Sequence, residues 1–377
     1  MNNNSTESVD TAKAPAKQQA NAAALPFTIA SRAMSRLSIA NMTVLGAGNT
    51  PTTPIQIPAV GFLRRLQLKF TMAFTAGTAF PADGPFALIN SIEFRTAAGN
   101  QLIVPVTGYQ LYVMNKYGHP QIMSPYSDPK FVSYSTTSGT AASFYLDIPF
   151  EIDPETGLGS IPALASNRNY QLGINYRSYS TVTGATAGSV TVEAVAHYWT
   201  EPPASSASGL GQETQPQGLG TISQWLLETP SVNSGASTVT LHNTGNFMRN
   251  IIFIARNAAG ARTEADWPAL TEFILDNESM FYLPKDDWRF AMRRQFGLAA
   301  SAMDAANGID SGVFVLPFDT LVGSLSGDPA NSRSQYLPTL DSSQLQIKGS
   351  AFGAGISTVE ILTNNITPSS SGDVFSK

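Results

Sequence analysis

From residue 65 to 74 the chain alternates without a break: Leu66, Leu68, Phe70, Met72 and Phe74 fall on one side, Arg65, Gln67, Lys69 and Thr71 on the other. Period two sustained this long predicts a half-buried β-strand. Shorter strands are predicted at 91–95 and 101–106, joined by Ala97-Ala98-Gly99-Asn100 in a hairpin-type connection. The period then changes. Residues 107–117 read as a helix, with Thr107 and Gln110 at capping-box spacing, Tyr109, Val113 and Tyr117 on one face, and Gly118 as its stop. Alternation returns at 143–152, 169–176 and 189–198, which completes a β-sandwich's worth of strands around one embedded helix.

Residues 201–220, EPPASSASGLGQETQPQGLG, have the composition of a linker and no periodicity. Strand signals resume at 238–241, 249–256, 270–275, 280–283, 312–318, 344–347 and 357–362. A second helix is predicted at 284–296, with Pro284 at its first position, Asp286 and Asp287 at the positive end of its dipole, and Gly297 at its stop.

The two halves repeat each other. The helix ends match as Met114-Asn115-Lys116-Tyr117-Gly118 and Arg293-Arg294-Gln295-Phe296-Gly297. The strands after them carry Ile148-Pro149-Phe150-Glu151 and Leu316-Pro317-Phe318-Asp319. Then Gln171-Leu172-Gly173-Ile174 answers Gln344-Leu345-Gln346-Ile347, and Thr191-Val192-Glu193 answers Thr358-Val359-Glu360. Matches in one order, at spacings that drift only slightly, indicate a duplication with loop drift. The expected fold class is all-β with short helices: two tandem eight-stranded jelly-roll sandwiches, a double jelly roll. The expected boundaries are a flexible N-terminal arm at 1–40, a first jelly roll at 41–200, a linker at 201–222, a second jelly roll at 223–367 and a C-terminal tail at 368–377.

Composition narrows the function. Of 377 residues none is cysteine, which removes disulfides, thiolate nucleophiles and Cys-ligated metals. Charged residues are 13%, against about 25% in a typical soluble domain. A net charge of −5 argues against a protein that wraps nucleic acid, since phosphate neutralisation needs a basic face; sequence-specific nucleic-acid binding is not expected. No run approaches the ~18 apolar residues of a membrane span, and the N-terminus is polar, so folding in a cytoplasm is expected. Within the arm, Lys13 and Lys17 precede a more apolar stretch in which Arg32 and Arg36, four apart, would share a face of a short helix. That stretch reads either as a basic foot touching lipid, nucleic acid or a partner chain, or as an ordinary entry into the first domain.

Residues 62–70 (Phe-Leu-Arg-Arg-Leu-Gln-Leu-Lys-Phe), residues 108–118 (Gly-Tyr-Gln-Leu-Tyr-Val-Met-Asn-Lys-Tyr-Gly) and the repeated (Ile/Leu)-Pro-Phe-(Glu/Asp) strand carry a resemblance. Over about residues 40–367 the chain resembles the double jelly-roll major capsid proteins of tailless, internal-membrane icosahedral viruses, especially tectivirus-like phages. The resemblance implies a virion subunit assembled in the host cytoplasm, forming homotrimers of pseudo-hexagonal outline that meet neighbouring trimers and a penton or vertex protein. It also implies an internal lipid membrane beneath the shell, toward which Lys13, Lys17, Arg32 and Arg36 would face. A tandem jelly roll is also compatible with a carbohydrate-binding protein, a receptor-binding spike component or a sugar-active enzyme.

Chemistry is sparse. His119, His197 and His242 form no metal-ligating spacing, and neither a nucleophile elbow nor a phosphate loop is present. No cofactor, catalytic residue or metal ligand is assigned. Acid clusters at Glu151, Asp153 and Glu155, at Asp276 and Glu278, and at Asp286 and Asp287 read as turn-forming or solvated, with a calcium loop at 153–157 as the alternative. Trp199, Trp225, Trp267 and Trp288 would suit a sugar platform but fit core or interface packing better.

Overall fold

The structure, a computed structural model, describes residues 24–367 except 59, 78–79, 82, 97–100, 119–140, 164–169, 297–310 and 319–335. After a single helical turn, α1 (Phe27–Ala30), come strands β1 (Ala33–Val44), β2 (Thr50–Pro51), β3 (Ile55–Ile57), β4 (Phe62–Thr75), β5 (Ile89–Arg95) and β6 (Gln101–Val106). Helix α2 (Gly108–Tyr117) leads to β7 (Ala141–Pro149), β8 (Ile161–Pro162) and β9 (Tyr170–Tyr176); α3 (Tyr179–Thr183) and β10 (Ala187–Trp199) close the first half. The second half runs β11 (Ile222–Glu228), β12 (Gly235–Leu241), β13 (Phe247–Asn257), β14 (Leu270–Leu275), β15 (Glu278–Pro284), α4 (Lys285–Phe296), β16 (Val313–Pro317), β17 (Leu337–Pro338), β18 (Leu345–Phe352) and β19 (Ile356–Thr367).

Each half is a sandwich wound in the same way. In the first, the order β1-β10-β4-β7 with β8 beside β4 faces β9-β5-β6, to which β2 and β3 attach. In the second, β11-β19-β13-β16 with β17 beside β13 faces β12-β18-β14-β15. Substituting β11 for β1, β13 for β4, β16 for β7 and β19 for β10 turns one order into the other, down to the two-residue strand ending in proline. All four sequence repeats fall on counterpart elements.

The correspondence extends to register. Thr71 and Lys69 oppose Thr191 and Glu193, as Arg256 and Ile254 oppose Thr358 and Glu360. One bulge is duplicated too: Arg64 is skipped between Leu63 and Arg65, and Arg249 between Met248 and Asn250. The bulged carbonyls take the same bond, Phe150 N donating to Arg64 O at 3.0 Å and Phe318 N to Arg249 O at 2.9 Å. A bulge re-aims the chain and pins register, so its recurrence marks the halves as copies of one design.

The inward sets form one continuous core. Phe70 stacks on Phe144 and Phe86 on Tyr112 in the first sandwich; Trp267 stacks on Phe314 beside Phe253 and Trp288 in the second.

Three expectations need correction. Residues 33–40, read as mobile arm, are the start of β1, paired antiparallel with β10. The register slips between Leu37 and Ala40, so Met34 and Met42 fall on opposite faces and the alternation that would announce a strand is scrambled. Strand β11 lies in a stretch the pattern left unassigned. Its residues Ser223 and Trp225 are buried, but the run is too polar to read as a core strand. Residues 201–217 are not a free tether either: Leu25 N bonds Gly211 O, Glu213 N bonds Leu25 O, and Gln217 N bonds Thr156 O, which docks them against the end of the first sandwich.

Candidate functional site

Buried polar and apolar contacts converge on the seam between the sandwiches. There the sheet containing β6 continues into the sheet containing β11 through a parallel bridge at Ile103 and Trp225. Helix α2 is set by the capping box read from the sequence: Gln110 N donates to Thr107 Oγ1 at 3.2 Å, and Thr107 N to Gln110 Oε1 at 2.8 Å. All ten of its residues are buried. On one side Asn115 pairs with the edge of β7 as a strand would, accepting from Asp147 N and donating to Asp147 O, both at 2.6 Å. On the other side lies the second sandwich: Trp225 packs directly on Gly118, and Asn250 Nδ2 donates to Gly118 O at 3.1 Å.

A charged group crosses the same seam. Asp83 of the first sandwich receives Arg256 at 2.9 Å and Arg262 at 2.7 Å from the second. Glu360 receives Arg256 Nε at 2.6 Å and Gln110 Nε2 at 3.0 Å. Both guanidiniums lie over the Tyr109 ring. Burial works against the Asp83 carboxylate, yet Arg256 and Arg262 hold it below its ordinary value. At Asp147 the balance is reversed: burial pushes the carboxyl up to about 6 against the pull of Arg65.

None of this assembles a reaction centre. Among the described residues no group of three His, Asp or Glu side chains could hold a metal ion. His119 lies outside the described residues. His242 pairs with Glu228 at the surface, and His197 is held below its ordinary value by burial and by Arg65 and Arg64. Glu151 serves structure: Arg64 grips one oxygen at 2.7 and 2.9 Å, and Trp199 Nε1 donates to the other at 2.6 Å. Asp153 closes its own loop, accepting from Glu155 N and Thr156 Oγ1. Trp267 and Trp288 are core, Trp225 belongs to the seam, and Trp199 lies beneath Arg64 at 4.0 Å and against Phe27. The tryptophans therefore form no sugar platform.

Two of the four basic residues of the arm fall within the described residues. Lys13 and Lys17 lie outside the described residues, Arg32 is exposed just before β1, and Arg36 sits within β1 opposite Ala196. The expected shared helix face does not form, because backbone pairing with β10 takes over at Ala33. The foot itself is anchored: Phe27 packs edge-on against Phe62 and Trp199, and its N–H donates to Glu213.

The two sandwiches differ in what covers them. The outer face of β13 carries Asn250, Ile252, Ile254 and Arg256, all buried. Its counterpart on β4 carries Arg65, Gln67, Lys69 and Thr71, none buried. Next to that bare face Met42, Val44 and Tyr145 are exposed; on the second sandwich Tyr282 and Phe290 are exposed.

Comparison with solved structures places this architecture. A chain of the Sulfolobus Turreted Icosahedral Virus structure superposes with a TM-score of 0.62 at 13% identity, covering 89% of this chain and 91% of that one. The fold is a double jelly roll. The major capsid protein of bacteriophage PM2 aligns over 90% of this chain and 99% of its own at 13% identity, with a TM-score of 0.51. The Faustovirus major capsid protein aligns over 90% and 91% at 10% identity, with a TM-score of 0.55. No family model matches the sequence, and no curated protein matches it. At such identities the double jelly roll is retained by strand order and inward apolar positions, not by a signature motif.

Proposed function

We propose that the protein is a major capsid protein, a non-catalytic subunit that forms homotrimers of pseudo-hexagonal outline and tiles an icosahedral shell. The observation that carries this reading is the duplication within one chain, with strand order repeated and β4–β10 and β13–β19 paired in matching register around a shared bulge. A closed ring of three chains then presents six equivalent units, and such blocks pack a surface laterally. The double jelly-roll neighbours named as viral major capsid proteins support the same use. So does the charge-poor composition, since the cores of stable interfaces are depleted in charged residues.

Within this reading the arm lies on the inner side of the shell, where Lys13, Lys17, Arg32 and Arg36 approach an internal lipid membrane, and a separate vertex protein fills the five-fold positions. Native mass measurement with negative-stain imaging of the purified full chain tests the assembly: trimers with hexagonal outlines are expected, and a stable monomer at every concentration would overturn it. Flotation with anionic vesicles tests the arm. Full-length protein should co-float, and a chain beginning at Leu25 that also carries Arg32→Gln and Arg36→Gln, which keeps α1 and β1, should not; equal binding removes the membrane role.

A further inference from the structure

Strand β7 ends the order β1-β10-β4-β7, so one side of its backbone has no strand beside it among the described residues. Part of that edge is taken by a side chain instead. Asn115 of α2 accepts from Asp147 N and donates to Asp147 O, both at 2.6 Å, and is itself buried. The other flank of α2 belongs to the second sandwich, through Trp225 on Gly118 and Asn250 on Gly118 O. Asn115 is therefore the point at which the sheet of the first sandwich grips the helix that carries the seam. A small cavity opens there, with Asn115, Pro149 and Glu151 on one wall and Ser223, Arg249 and Asn364 on the other.

The residue in this grip carries an acid. Asp147 lies on the outer face of its sheet, opposite Gln67, yet it is only 7% exposed, and its Oδ1 is buried with no hydrogen-bond partner among the described residues. A neutral carboxyl tolerates such a place; a carboxylate there loses hydration that no donor replaces. The charged neighbours do not compensate. On β4 the diagonal residues are Arg65, which pulls toward ionisation, and Lys69, which faces Glu193 at 3.5 Å. Opposite Arg65 on β10, His197 is held below its ordinary value by burial and by the same arginine. On α2, Lys116 donates to Tyr112 Oη at 3.1 Å. On β7 itself Tyr145 is exposed, and Glu151, just beyond the strand, is held by Arg64 and Trp199. Burial outweighs Arg65 and lifts the Asp147 carboxyl to about 6.

The geometry points to an acid-closed latch between the sandwiches. With Asp147 neutral, the β7 edge rests on Asn115 and fixes α2 against the second sandwich. Ionisation draws Asp147 toward water, pulls that edge off Asn115 and loosens the seam. Linkage sets the direction: a carboxyl whose folded value lies above the unfolded 3.8 adds most to closure below 3.8, and its contribution fades as pH rises to about 6. Asp83 works the other way, since its bonds to Arg256 and Arg262 need the carboxylate. The latch lies within one chain and operates whether or not trimers form.

Hydrogen exchange of the full-length chain between pH 4 and pH 8, corrected for the intrinsic rate at each pH, reads local opening. In the parent, protection across 108–118 and 141–149 should fall by about tenfold to a hundredfold between pH 4 and pH 7, the range set by a shift of this size, while β18 stays level. In Asp147→Asn the fall should vanish. Arg65→Gln removes the pull toward ionisation and should move the midpoint to higher pH, an effect that a purely structural role for Asp147 would not produce. A level parent profile, or an undiminished fall in Asp147→Asn, would overturn the latch. So would a fall of equal size in β18, which would mean that the whole fold opens rather than the seam.

Discussion

Replacing Asp83 by Asn probes whether the charged seam holds the two sandwiches together. The substitution keeps shape and removes the charge that faces Arg256 at 2.9 Å and Arg262 at 2.7 Å. The Arg262 side chain is 1% exposed, so it cannot recover solvation by turning outward. It retains a bond to Ser311 O and the Tyr109 face, and Arg256 retains Glu360 and Gly260 O, so the loss is partial. Removing one member of a buried ion pair costs about 3–5 kcal/mol; the surviving partners bring the expectation to about 2–3 kcal/mol, in line with charged hydrogen bonds at about 1.5–3 kcal/mol each. Urea unfolding at pH 7, followed by tryptophan emission, reads the difference as a lowered midpoint.

The pH dependence supplies a second check on Asp83. Its folded-state carboxyl lies below the unfolded value of 3.8. The stabilisation is therefore complete above the unfolded value and disappears as pH falls through the folded one. Parent and Asp83→Asn should converge in acid. A difference below about 0.5 kcal/mol at pH 7, the ordinary scatter of surface substitutions, or one that persists undiminished at low pH, would refute the account. A cycle with Arg262→Met separates the pair from its surroundings: coupling near zero would mean that Asp83 acts through packing alone.

Other substitutions give distinct outcomes. Asp147 is raised from 3.8 to about 6 in the folded protein, so stability falls as pH rises from the unfolded value and the loss is complete above the folded one; Asp147→Asn should stabilise by about 2–3 kcal/mol at pH 8 and have little effect near pH 4, read by thermal melts at both. A Cβ at Gly118 would approach Trp225 Cζ2 to 2.5 Å, so Gly118→Ala should cost about 1–3 kcal/mol through overpacking, and Trp225→Phe in the same chain should recover part of it. Glu151→Ala frees Arg64 and the Trp199 indole together; a loss of about 2–3 kcal/mol with altered Trp199 emission is expected, and unchanged unfolding would show that the cluster is dispensable.

The repeat was legible because strand pairing preserves alternation and the (Ile/Leu)-Pro-Phe-(Glu/Asp) strand recurs with its inward set intact. The helix ends were legible because caps and stop glycines have local causes. Phe62-Leu63-Arg64 and Phe247-Met248-Arg249 were equally available as a repeat. They are short, however, and only their shared bulge reveals their equivalence. Strands β1 and β11 escaped notice for different reasons, β1 because a bulge scrambles its period and β11 because its buried Ser223 looks like a surface residue.

Local chemistry thus determined the element types, the duplication and the lack of a catalytic motif, since alternation, capping and residue counts are properties of neighbours along the chain. Tertiary structure decided which face each element shows to another: that α2 is buried on every side while its counterpart α4 presents Phe290 to solvent, and that Asp83 meets arginines from the other sandwich. Burial of a helix depends on what packs across it, and in this double jelly roll the covering sheet lies more than a hundred residues away in the chain.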